Sequence, residues 1–259
     1  MIRILCLLLL VCAAAQAQDP AALRGRYAAL QEELASSPFG RPLHIESAVD
    51  GNRHQGEVHA VIAEPFATVA AALARPAQWC EILGLQVNVK RCTSASAGLS
   101  AYITRKARDS VDEAHRIDFL FDVPASRADY LQVRLRAGDG PVGTRDYQIR
   151  LEATPLDGQR TFLHLSYGYS LGWMARLAMD AYLAGSGRDK RGFSVEGGER
   201  GVVERAAMRH YLAIDAYLGS RDLPTRLRRW YEAISRYPQL QERVGLDEYV
   251  AMKQREAAG

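Results

Sequence analysis

Apolar residues recur along this chain with two alternating periods. Leu23, Tyr27, Leu30 and Leu34 stand three or four apart behind an Asp19-Pro20 pair suited to a helix start, and Ser36-Ser37-Pro38 ends the run. This predicts a small amphipathic N-terminal helix. From about residue 41 the pattern turns strand-like. Positions 56–62 alternate and stop at Glu64-Pro65. Phe66, Val69, Ala70 and Leu73 make one helical face, Arg75-Pro76 breaks it, and Trp79, Ile82 and Leu83 read as a second short helical turn. A β-rich stretch follows, with strands predicted near 86–93, 99–107, 115–123, 128–137, 144–154 and 160–171. Alternation is cleanest at Ile117, Phe119, Phe121 and Val123, then at Leu131, Val133 and Leu135, then at Tyr147, Ile149 and Leu151. Gly138-Asp139-Gly140 and Asp157-Gly158 supply turns, and consecutive strands joined by short turns make an antiparallel meander.

Helical spacing returns at 173–184 through Trp173, Leu177, Met179 and Leu183. A glycine-rich connection occupies 185–201. The longest amphipathic helix comes next, at about 201–218, with Val203, Ala207, His210 or Tyr211, Ile214 and Leu218 on one face. The tail from Asp222 predicts two further helices, around Trp230 and around Tyr249. No internal repeat is present. The expected division is a helical arm and lead-in at 18–55, a central domain at 56–218 and a helical tail at 219–259.

The first seventeen residues stand apart. Arg3 precedes an apolar run from Ile4 to about Ala15, and Ala15-Gln16-Ala17 forms a small-x-small site, the layout of a secretory signal peptide cleaved near Ala17. The run is too short for a membrane span of ~20 residues. The expected location is therefore the periplasm or the exterior. Cys6 and Cys12 leave with the leader, so Cys80 and Cys92 remain as a pair in an oxidising compartment, where a disulfide is the expected state. The chain carries 33 basic and 30 acidic residues, a net +3 that falls to about +2 without the leader, and this near balance argues against a nucleic-acid partner.

One strand, two short helices, about six antiparallel strands and a long C-terminal helix: this order resembles the START-related lipid-transfer superfamily, the helix-grip fold, over roughly residues 56–218. Trp79 after the Arg75-Pro76 break, and Arg145-Asp146-Tyr147 on a late strand, are similar to features of that superfamily. The helix at 173–184 and the tail after 218 depart from its minimal pattern. The resemblance implies an α+β fold in which a curved sheet of about seven strands wraps a long helix around an internal cavity. It implies binding of a hydrophobic small molecule, a lipid above all, with transient contact to a membrane surface and no cofactor or metal. Expected wall residues are Tyr102, Phe119, Tyr130, Arg145, Tyr147, Tyr167 and Tyr169 from the sheet and Met208, Tyr211 and Ile214 from the long helix. Strand parity alone does not say which sheet face is inward. The segment 185–201, with Arg188, Lys190 and Arg191, reads either as a lid or as a solvated loop.

Competing readings rest on other motifs. Gly168-Tyr169-Ser170-Leu171-Gly172 matches G-x-S-x-G between a predicted strand and helix, with His210 downstream and Asp180 or Asp189 between. This supports an exported serine esterase or lipase as an alternative, although a meander is the wrong sheet for an α/β-hydrolase. Gly187 to Gly192 begins a P-loop but has Phe193 where lysine is needed. The six histidines follow no metal motif. Arg116, Asp118 and Asp122 share a strand face, and Glu204, Arg205 and Arg209 read as the solvated face of the long helix. A non-catalytic structural or partner-binding module is the third reading.

Overall fold

The alternating segments pair into one antiparallel sheet. The computed structural model describes residues 19–258; residues 1–18, with the leader and its two cysteines, and Gly259 lie outside the described residues. A helical arm, α1 (Pro20–Ala29) and α2 (Gln31–Ala35), precedes the hairpin β1 (Leu43–Asp50) and β2 (Arg53–Ile62). Two short helices, α3 (Phe66–Leu73) and α4 (Pro76–Gly84), lead to β3 (Val89–Ala95), β4 (Gly98–Ile103), β5 (His115–Arg127), β6 (Tyr130–Asp139), β7 (Thr144–Pro155) and β8 (Thr161–Leu171). Four helices close the chain: α5 (Trp173–Ala184), α6 (Gly198–Leu218), α7 (Leu223–Ser235) and α8 (Leu246–Ala258). The strand order is β1-β2-β8-β7-β6-β5-β4-β3, antiparallel throughout, with α6 across one face. This is the helix-grip arrangement. The sheet has eight strands rather than about seven; the added one is the edge strand β1, whose alternation weakens beyond Ile45 where its residues are partly exposed.

Register explains the core. Val58, Leu165 and Leu151 lie side by side across β2, β8 and β7, as do Ala60, Leu163 and Ala153, and all six are fully buried. Val203, Ala207 and Ile214 of α6 join them in one core. The helix comes closest at Gly56. A Cβ there would stand 2.9 Å from the Val203 carbonyl oxygen and 3.0 Å from the Ala207 Cβ. Glycine is thus required by proximity of another backbone, not by its dihedral angles. The tail helices belong to the same core through Leu227, Trp230, Ile234, Tyr249 and Val250. Lys253 Nζ donates to the Val89 carbonyl at 2.6 Å, which ties α8 to the start of β3.

The Cys80–Cys92 disulfide is formed and joins α4 to β3. It closes a loop of sequence separation 12, for which the chain-entropy account gives about 3 kcal/mol.

The outer face of the sheet is covered at one end by the arm. Asp19 caps α1 by accepting from the Ala21 N–H at 2.8 Å. Leu23, Leu30 and Leu34 then pack with Tyr130 and Phe162 as a second, smaller core. Beside it the rings of His59 and His164 stack at 4.3 Å. His164 is shared between Glu57 and, at 3.0 Å, Glu152, and Arg26 of the arm reaches Glu46. Burial alone would raise Glu152, but hydrogen bonds from His164 and Tyr130 and the charge of Arg150 hold its carboxyl down at about 2. Burial works against the charged form of His164 as well, yet its bonds to Glu152 and Glu57 raise it. Burial lowers neighbouring His59 to about 2, so that ring is neutral.

Glu204 and Arg205 correct an expectation, since both are buried rather than solvated. Glu204 accepts from the N–H groups of Phe193 and Ser194, at 2.6 and 2.9 Å, and from Ser47. Arg205 donates to the carbonyls of Lys190 and Arg191. Together they fasten the glycine-rich segment along α6, so that segment is no freely swinging lid. Asp118 is exposed beside Arg116 at 2.8 Å, an ordinary surface pair.

Gly56→Val should force α6 away from β2 and lower stability by about 1–3 kcal/mol, read as a reduced urea midpoint, whereas Gly25→Ala at an open surface position should not. Acid should also weaken the protein. Glu152 titrates near 4.5 when unfolded and about 2 when folded, so its contribution is present above pH 4.5 and is lost as pH falls toward 2. Glu152→Gln should flatten the urea midpoint against pH over that interval.

Candidate functional site

The helix does not cover the concave face evenly. It packs on β1, β2 and β8, and a cavity of about 490 Å³ opens between α6 and strands β4, β5, β7 and β8. Its apolar wall comes from Ala101, Ile117, Phe119 and Ile149 and from Leu83 and Val87 after α4. Tyr147 and Tyr167 stand on the sheet side, and Ala206, Arg209 and His210 descend from α6. Asn88, Thr104 and Arg105 add polar groups at the β3–β4 end, while Pro141 and Val142 of the β6–β7 turn border the opening.

His210 is the informative side chain. Its Nδ1 lies 2.8 Å from the Ala206 carbonyl oxygen, which can only accept, so the ring proton is on Nδ1. Nε2 therefore keeps its lone pair, and no described residue donates to it. Burial lowers the imidazole to about 4, with the Ala206 bond opposing and the Arg209 charge assisting, so the ring is neutral near pH 7. It stacks on Tyr167 at 4.6 Å. Burial, together with Tyr147 and Tyr169, raises the Tyr167 phenol well above its usual range, which leaves a neutral hydroxyl donor. Arg209 is lowered by burial and meets Glu242 at 3.2 Å and the Leu240 carbonyl at 3.2 Å. The cavity thus offers an apolar body and a polar end with one acceptor, one donor and a compensated cation.

Of the expected wall residues, the structure brings Phe119, Tyr147 and Tyr167 to this cavity, and with them His210. Tyr169 lies behind Tyr147 at 5.7 Å and stacks on His54. Met208 and Ile214 are buried in the main core, and Tyr211 is buried beneath Arg41. Tyr102 and Tyr130 lie on the outer face: Arg91 covers Tyr102, and the Tyr130 hydroxyl donates to Glu152 at 2.6 Å. Arg145 is exposed at an irregularity of β7. Sequence reasoning did not place Arg209 and Glu242 at this cavity, and it named His210 only on the α6 face and in the hydrolase alternative. The helical face that listed His210 beside Tyr211 was the one signal available, and Glu242 carried none.

The hydrolase arrangement is not assembled. Ser170 lies within β8, paired with Arg53 and Arg145, between Tyr169 and Leu171, which face the core. Alternation puts its hydroxyl on the outer side, with the sheet between it and His210. No serine or cysteine lines the cavity. Among the described residues, no cluster of His, Cys, Asp or Glu could hold a metal ion. A second cavity of about 400 Å³ lies beside the disulfide, but its Lys90 and Lys253 are already paired with Glu256.

No family profile matches the chain, and the comparison with curated proteins found no match. Several solved structures are similar. A START superfamily protein from Mycobacterium smegmatis is 14% identical, with 51% of this chain and 87% of that chain covered and a TM-score of 0.38. Norcoclaurine synthase from Thalictrum flavum is 12% identical, with coverages of 69% and 89% and a TM-score of 0.38. The Zhui aromatase/cyclase from Streptomyces sp. R1128 is 17% identical, with coverages of 68% and 93% and a TM-score of 0.37.

His210 should titrate near pH 4, away from solvent-exposed histidines near 6.5. Because folding depresses its pKa, the stability that depends on its neutral form is complete above pH 6.5 and is lost as pH falls toward 4. Proton–carbon NMR of the imidazole, with His210→Phe to assign it, measures both.

Proposed function

We propose that this protein is an exported carrier that encloses a hydrophobic small molecule, a lipid first among them, and performs no chemistry on it. One observation carries the reading: a cavity of about 490 Å³ with apolar walls and a few polar groups, His210 and Tyr167 among them. That volume lies within the ~300–1,000 Å³ of small-molecule sites. The apolar wall takes the body of the ligand. His210 Nε2 and the Tyr167 hydroxyl receive a polar group such as an alcohol or a carboxyl.

The physical need for enclosure is large. Each buried CH₂ is worth ~0.8 kcal/mol, so a sixteen-carbon chain costs on the order of 12 kcal/mol to leave in water. Export fits the N-terminal leader pattern and the Cys80–Cys92 disulfide. No described helix is long and apolar enough to cross a membrane. A carrier of this kind takes up and releases its cargo at a membrane surface.

A second reading has one observation in its favour. A neutral imidazole with a bare Nε2, stacked on a tyrosine ring in the cavity wall, is a competent proton-transfer pair. It differs from the carrier in requiring turnover.

Native mass spectrometry of the mature protein, purified from its exported compartment, should show a co-purifying molecule at near one per chain, identified after organic extraction. Ala206→Trp, which fills the cavity from α6, should abolish that occupancy while circular dichroism stays unchanged. A clean apo mass that persists after incubation with membrane extract would overturn the carrier. A bound species converted by the parent protein and unaltered by His210→Phe would favour the second reading.

A further inference from the structure

Helix α5 presents its apolar side to solvent. Of its twelve residues only Ala175 is buried, while Trp173, Leu177 and Met174 are 78%, 66% and 49% exposed. Positions 173, 174, 177, 178 and 181 share one uncharged helical face, and the exposed Asp180, two turns on from Trp173, stands at its edge. Arg176 lies to the side, bonded to Glu199 at 3.1 Å and to the Gly51 carbonyl at 2.9 Å. This reverses the usual burial of an amphipathic helix.

The patch continues into the turn between β6 and β7. Val142 is 47% exposed, and the neighbouring Gly143 accepts from the Gly172 N–H at 3.0 Å at the start of α5. Val142 has φ 59° and ψ 24°. For a β-branched residue that conformation costs of order 1–3 kcal/mol. Folding alone would favour glycine there, and solubility would favour a polar residue. Instead a branched apolar side chain is held outward beside an exposed tryptophan. Pro141 and Val142 also border the cavity, so the patch is continuous with its opening.

Charge completes the pattern. The exposed Arg145 guanidinium lies against Gly172, one residue before the helix, with Asp146 exposed next in sequence, and Arg188 and Lys190 are exposed on either side of Asp189 on the segment that leaves the other end. An apolar stripe with a tryptophan, flanked at both ends by cations, complements an anionic lipid surface.

We propose that the outward face of α5 and the Pro141–Gly143 turn form a membrane-docking surface, which sets the cavity opening on an anionic bilayer. The proposal rests on the reading of the cavity as a site for apolar cargo: cargo passing along Val142 moves from bilayer to cavity without crossing water.

The tryptophans make the test direct. Trp79 and Trp230 are fully buried, so a change in emission on adding vesicles reports Trp173. Phosphatidylcholine vesicles containing phosphatidylglycerol should shift the emission of the mature protein to the blue and carry it into the pellet. Trp173→Ser with Leu177→Ser should lower partitioning on the order of ten-fold or more with unchanged circular dichroism. Val142→Gly should raise the thermal midpoint and yet weaken partitioning, a combination that a purely structural role for Val142 does not produce. High salt should weaken binding through the cationic flanks. Unshifted emission with the protein left in the supernatant would overturn the proposal. So would a dimer, seen by light scattering without vesicles and abolished by the double variant, since a second copy would then be the occupant. Native mass spectrometry of protein recovered from the vesicles separates the two readings. Bound lipid with partitioning indifferent to the double variant would sink docking and leave the carrier. Docking without bound lipid would support docking and sink the carrier.

Discussion

Helix α6 lies against β2 at a separation that only glycine allows, with the Val203 carbonyl and the Ala207 methyl standing where a side chain of residue 56 would be. That contact draws the helix to one flank of the sheet. A cylinder seated on β1, β2 and β8 cannot also fill the space over β4 and β5, and the unfilled space is the cavity. Position 56, the cross-strand partner of Tyr167, therefore bears on the site although it does not line the cavity itself. The α4 end is closed separately, by the disulfide to β3 and by the Tyr249 hydroxyl donating to the Leu85 carbonyl from α8.

Polar groups hold the parts that hydrophobic burial leaves loose. The glycine-rich segment has few side chains to bury, and Glu204 and Arg205 satisfy its backbone instead, each making several bonds from a buried position. The arm rests on the outer face through a small apolar core and an Arg26–Glu46 contact next to the stacked His59 and His164. Buried polar networks of this kind stabilise only when each member is satisfied. His59 Nδ1 makes no hydrogen bond, so this network is incompletely satisfied.

The elements were largely legible because each has its own period. The helix predicted at 173–184 is Trp173–Ala184, and the strand predicted near 160–171 is Thr161–Leu171. The site was legible only in part. Tyr102 and Tyr130 look like Tyr147 and Tyr167 in sequence, since all four are aromatic residues on alternating strands. Register sends the first two outward and the second two inward. Tyr130 is apolar-patterned on the outer face because the arm buries it there, so aromatic content did not distinguish the faces. On α6, His210 and Tyr211 are one residue apart, about 100° around the helix. One reaches the cavity and the other packs beneath Arg41.

By itself, the sequence determined the order and type of elements, the antiparallel meander and the pairing of Cys80 with Cys92. These depend on local period, turn chemistry and the cysteine count, which the sequence itself carries. The tertiary structure alone decided which sheet face is concave, that Ser170 and His210 lie on opposite sides of it, that Glu242 reaches Arg209 from the tail, and that α5 turns its apolar side to water. Each of these depends on which distant surface is left to cover a given face, and no local spacing of residues carries that information.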